Sequence, residues 1–98
     1  MEHPIHSVTH VEIVGAYTLR LTFDDRSVQV IDFEPVLAGE LYGPLRDSSL
    51  FQQVRIDHEV RTIAWPNGAD FDPATLHDWP RFREELITRA QTWSRSAA

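Results

Sequence analysis

Five residues just past the middle of the chain, Trp65, Asn67, Asp70, Asp72 and His77, carry side chains that can bind a small ligand. They offer an aromatic wall, an amide, two carboxylates and an imidazole that titrates near neutral pH, with Asp78 next to the histidine. Such a set can exchange protons or coordinate an ion. Each member also has a local structural task. Asn67 suits a turn, Asp70 and Asp72 suit helix caps, and Trp65 suits a core. These five are therefore the candidate ligand-binding residues, and no residue is assigned a catalytic role. A second group, His3, His6 and His10, invites a metal. Residues 6 and 10 share a face of an extended chain. The nearest carboxylates are Glu2 and Glu12, and no second coordinating segment is identifiable. The expectation is no metal and no cofactor.

Several chemistries are missing altogether. There is no cysteine, so disulfides, thiolate zinc sites and thiol nucleophiles are excluded. All nine basic residues are arginine, which removes lysine Schiff bases and the lysine of a phosphate-binding loop. No serine occupies a Gly-x-Ser-x-Gly elbow, and the four glycines form no phosphate cradle. The chain is expected not to be an enzyme.

Charge points toward protein partners rather than nucleic acid. Residues 1–79 hold five arginines against thirteen acids, and residues 80–98 hold four against two. An acidic body repels phosphate backbones and suits a basic protein. No apolar run approaches the roughly 18 residues of a membrane span, and no arginine or apolar stretch near the start resembles a secretory signal. Cytoplasmic residence is expected.

The elements that must position these residues read as an α+β fold in one domain of 98 residues. Val11 and Ile13 lead into a Gly15-Ala16 turn suited to type II′ geometry. Tyr17, Leu19, Leu21 and Phe23 then alternate with polar residues, the clearest strand signal in the chain. Asp24 to Ser27 turns into a third strand with Val28 and Val30, where the parity shift at Ile31 and Phe33 predicts a bulge or a strand end. Pro35 to Gly39 predicts a helical turn closed by glycine. Asp47 caps a short helix containing Leu50 and Phe51. Val54 and Ile56 begin a second hairpin that returns through Thr62 to Trp65 and ends in Pro66-Asn67-Gly68. Asp72-Pro73 opens a short helix ending near Asp78.

A longer amphipathic helix spans about 80–95. Trp79, Phe82, Leu86, Ala90 and Trp93 fall within about 80° of one another on a helical wheel, while Arg81–Glu85 and Glu85–Arg89 are spaced for ion pairs. This stripe must be covered, either by the chain's own sheet or by another molecule. Phe82, Leu86 and Trp93 are accordingly the candidate interaction residues.

The strings Gly43-Pro44-Leu45-Arg46-Asp47, Leu50-Phe51-Gln52-Gln53-Val54 and above all Trp65-Pro66-Asn67-Gly68-Ala69-Asp70 are distinctive. With Leu21-Thr22-Phe23-Asp24-Asp25 and Asp32-Phe33 they resemble the small bacterial proteins grouped as domain of unknown function 2442, over about residues 6–78. The resemblance implies an antiparallel sheet with short helices and no established activity. It also implies a gene neighbour encoding another small protein, an arrangement that suggests toxin–antitoxin pairs. The family's Asp-Gly turn stands here as Asp25-Arg26, the glycine usual before Thr62 is Arg61, and the tyrosine usual after Leu76 is His77. Two functional readings follow. One is an interaction module, the acidic antitoxin-like partner of a small basic protein encoded nearby, with a homodimer as a variant. The other is a small-ligand or metal binder using the Trp65–Asp78 region.

Overall fold

Strands β1 (Val8–Gly15), β2 (Thr18–Phe23) and β3 (Val28–Asp32) form an antiparallel meander in the order β1-β2-β3, and β4 (Arg55–Asp57) and β5 (Thr62–Ala64) form a separate hairpin. The computed structural model describes residues 6–96, with side chains described through Thr92. Between the two sheets run a 3₁₀ turn at Glu34–Val36, α1 (Gly39–Tyr42), a second 3₁₀ turn at Gly43–Arg46 and α2 (Ser48–Phe51). After β5 come α3 (Pro73–His77) and α4 (Trp79–Ser96). The α+β class with a meander, a second hairpin and a C-terminal helix is what the sequence implies.

Two local expectations need correction. The β1–β2 turn is made by Ala16-Tyr17, with Gly15 paired to Thr18, and the left-handed residue is Tyr17 at φ 59°. Its ring is held edge-on to Phe51 and its hydroxyl donates to the Arg46 carbonyl, so tertiary contacts offset the cost of a left-handed aromatic residue. Gly39 does not close the first helical turn. It opens α1 at φ 85°, a conformation glycine alone adopts without strain. The strand end expected at Ile31 and Phe33 is present, since β3 stops at Asp32, and the strand contains no bulge. Gln29 pairs with Leu21 and Ile31 with Leu19 on the core face, while Val28 and Val30 pair with Thr22 and Arg20 on the opposite face. The alternation is unbroken, and the two valines point out.

Two arginines occupy left-handed positions, Arg26 at φ 71° and Arg61 at φ 60°, where the family resemblance places glycines. Both lie in turns closed by backbone hydrogen bonds: the Arg26 N–H donates to the Phe23 carbonyl, and the Arg61 N–H to the Asp57 carbonyl. The turn geometry is thus kept and the strain falls on the substituted residue. The Val8 N–H donates to the Arg61 carbonyl at 3.0 Å, which ties the second hairpin to β1.

The core gathers on the inner face of the meander. Leu19, Leu21, Phe23 and Ile31 meet Phe33, Leu45, Phe51, Ile63, Trp65, Phe71, Leu76 and Trp79 in a single apolar cluster. α4 adds Trp79 and Ala90 as buried residues and Leu86 and Ile87 as half-buried ones. Its main contacts are with the 3₁₀ turn at Glu34–Val36, α1 and α3, so the apolar stripe packs on the short-helix layer of its own chain. Glu85–Arg89 forms at 2.7 Å, while Arg81 sets its guanidinium 5.6 Å from the centre of the Phe82 ring.

Trp65→Ala should cost roughly 3–5 kcal/mol of stability in urea unfolding, because it empties a fully buried site. Arg61→Gly should cost nothing and add up to about 1 kcal/mol, since it relieves a left-handed backbone.

Candidate functional site

The Trp65–Asp78 segment divides into two places. In the first, the side chains serve the fold. Trp65 is buried and its indole N–H donates to the Phe51 carbonyl at 2.9 Å. Asn67 accepts from the Ala69 N–H through Oδ1 and donates from Nδ2 to the Leu41 carbonyl at 2.9 Å, fastening the turn to α1. Asp72 caps α3 by accepting from the N–H and hydroxyl of Thr75. Asp70 is exposed; its backbone bridges Ala64 and its carbonyl accepts from the Tyr42 hydroxyl at 2.7 Å. Asp70 and Asp72 border one open depression with Val60, Thr62, Phe71 and Pro73. Trp65, Asn67 and His77 do not line it.

His77 lies elsewhere, at the end of α3, where chain segments distant in sequence converge on it. The β2–β3 turn presents Asp25, whose Oδ1 accepts from the N–H and hydroxyl of Ser27. The other carboxylate oxygen, Oδ2, lies 2.7 Å from Nε2 of His77. On the opposite side of the ring, Nδ1 lies 2.9 Å from Oδ1 of Asp78. Gln29 of β3 donates to the His77 carbonyl at 2.8 Å and so fixes the end of the helix. The His6 ring stacks on His77 with centres 3.6 Å apart and planes 9° from parallel, and Phe23 meets His77 edge-on at 5.0 Å. His77 is thus enclosed by two acids, an imidazole and a phenyl ring, with 18% of its side chain exposed.

This arrangement sets two titrations in opposite directions. Burial works against the charged imidazole, but the hydrogen bonds to Asp78 and Asp25 and the charges of both acids outweigh it, so the His77 pKa is raised. Both ring nitrogens face acceptors, which is the geometry of an imidazolium donating twice. The Asp25 carboxyl is held far below the usual carboxylate range, first by the Ser27 hydroxyl, then by the Ser27 N–H and His77.

A family model described as a protein of unknown function, DUF2442, matches residues 8–81. The chain belongs to the DUF2442 family. No curated protein and no solved structure matches it. Asp25, Trp65, Asn67, Asp70, Asp72 and His77 of this DUF2442 member lie inside the match, His6 lies just ahead of it, and Phe82, Leu86 and Trp93 lie beyond its end. Phe82 and Leu86 are half-buried along α4, Leu86 against the core. The Trp93 side chain and His3 lie outside the described residues.

Asp25 and the pairing of His6 with His77 escaped sequence reasoning. Asp25-Arg26-Ser27 is legible as a turn whose carboxylate bonds two residues on. No periodicity connects that turn to the end of α3, because the contact is set by how α3 lies along β3.

Stability should follow the His77 titration in a defined direction. A pKa raised by folding means that the bound proton favours the folded state below the ordinary histidine value, and that this support is lost as pH rises through the raised value. Asp25, lowered by folding, supports the fold above the ordinary carboxylate range and loses that role as pH falls toward its lowered value. In metal-free buffer the Tm should therefore fall between about pH 6 and pH 9, and His77→Gln should flatten that slope.

Proposed function

We propose that this chain is a non-enzymatic interaction module that holds a small basic protein, encoded beside it, against the open face of its meander, as an antitoxin holds its toxin. The observation that carries this reading is the exposure of Val28 and Val30, 42% and 62%, side by side on the outer face of β3. An antiparallel sheet with one face in water normally presents polar residues there. Here the edge strand presents two branched apolar side chains beside Thr22 and Arg20, with His10 and Glu12 across β2 on the same face. Apolar side chains ringed by polar ones are the usual composition of a docking patch.

Charge supplies the partner's chemistry. The acidic excess of residues 1–79 favours a basic surface and speeds encounter with it. The motif residues support the same reading from the other side, since Trp65 and Asn67 direct polar atoms to backbone carbonyls and Asp72 caps α3. Among the described residues no helix is long and apolar enough to cross a membrane, and the proposed partner is met in the cytoplasm.

Co-expression with the neighbouring small basic protein should yield a complex that survives purification. Val30→Arg should leave the Tm close to wild type, because the side chain is already in water, yet weaken the complex by about tenfold or more. Raising salt from about 50 to 300 mM should weaken the wild-type complex as well. A complex indifferent to Val30→Arg would move the interface off this face, and the absence of any complex would reject the reading.

A further inference from the structure

We propose that His6, Asp25 and His77 form a binding site for a divalent transition-metal ion of the zinc class. One donor atom from each of the three lies within 4.8 Å of the others. They come from the approach to β1, the β2–β3 turn and the end of α3, so the ligand set exists only in the folded chain.

The atoms around His77 and Asp25 are arranged as a metal site needs them. A metal-binding imidazole typically anchors one ring nitrogen on a carboxylate and turns the other toward the ion. His77 does so, with Nδ1 on Asp78 and Nε2 facing Asp25. A ligating carboxylate is in turn steadied by hydrogen bonds to its remaining oxygen, and Ser27 supplies two to Oδ1 of Asp25 while Oδ2 points at His77. Nε2 and Oδ2 lie at hydrogen-bond distance, 2.7 Å. An ion bound to both atoms at about 2.0–2.2 Å from each would replace that hydrogen bond and part the two atoms to about 3.4 Å, as tetrahedral angles require. Phe23 closes one side of the histidine with an apolar ring, which strengthens ligation by excluding water.

His6 completes the set by moving. Two imidazoles stacked 3.6 Å apart and 9° from parallel cannot both direct a lone pair at one ion. The His6 ring must turn on its side chain until its edge faces Asp25, and its partial exposure leaves room for that rotation. Two imidazoles and a carboxylate select zinc, nickel or cobalt over magnesium and calcium, which prefer all-oxygen shells. Three protein ligands leave a fourth position of the tetrahedron for water or for a donor from a bound molecule.

Isothermal titration of the full, metal-free chain with zinc chloride tests the site. One ion should bind per chain, and magnesium chloride under the same conditions should not bind. His6→Ala and Asp25→Asn should each weaken zinc by about tenfold or more, with circular dichroism confirming that both variants fold. Cobalt(II) bound to the wild-type chain should show the intense visible bands of tetrahedral coordination, and His6→Ala should lose them. His3→Ala and His10→Ala should change nothing. The proposal is overturned if zinc does not bind saturably, if it binds His6→Ala or Asp25→Asn as tightly as wild type, or if His3 and His10 prove to be the residues that hold it.

Discussion

Phe33 follows the last residue of β3, and its ring touches four other aromatic rings at once. Phe51 and Trp65 lie with centres 6.2 Å away, Phe71 at 5.1 Å and Trp79 at 5.4 Å. These four belong to α2, the end of the second hairpin, the approach to α3 and the start of α4, so one side chain bonds the meander to every other layer. The contacts are tilted or edge-on, the orientations favoured by aromatic quadrupoles, and each adds to the area term of burial. A chain of this length has little apolar surface to spare, and the aromatic cluster is where it is concentrated.

That concentration determines which residues remain for function. An indole buried in such a cluster needs a partner for its N–H, and Trp65 finds one in the Phe51 carbonyl. The turn that follows must reverse the chain beneath α1, and Asn67 holds it there by bonding Leu41. Among the described residues no buried side-chain nitrogen or oxygen lacks a partner. The most distinctive string in the sequence is therefore a structural clamp. Chemistry left over lies at the margins of the cluster, as on the outer face of the meander, where Val28 and Val30 meet water, and at the far end of α3, where His77 gathers Asp25, Asp78 and His6.

The sequence reveals local order well and distant contact poorly. The alternation of β2, the caps at Asp47 and Asp72 and the stripe of α4 are all readable because each rests on neighbours within a few positions. β3 misleads for a physical reason. Valine favours strands on either face, so the valines of Val28-Gln29-Val30 look core-facing until the register with Thr22 and Arg20 places them outside. The same limit applies to the β1–β2 turn, where the left-handed residue, Tyr17, is held by a tertiary bond to Arg46. Of the five motif candidates His77 gathers groups distant in sequence, Asp25 and His6, that no spacing rule connects to it. Helix α4 shows its apolar stripe plainly, but nothing local tells it to lie on the short helices rather than the sheet.

Native-state hydrogen exchange tests most directly whether one aromatic cluster holds the whole molecule together. The Trp65 indole N–H, the amides of Leu19 and Leu21 in β2 and the amide of Leu86 in α4 should all exchange with the same free energy, equal to that of global unfolding. Exchange at Leu86 that is far faster than at Leu21, with its own dependence on denaturant, would show that α4 opens independently and would contradict a single core.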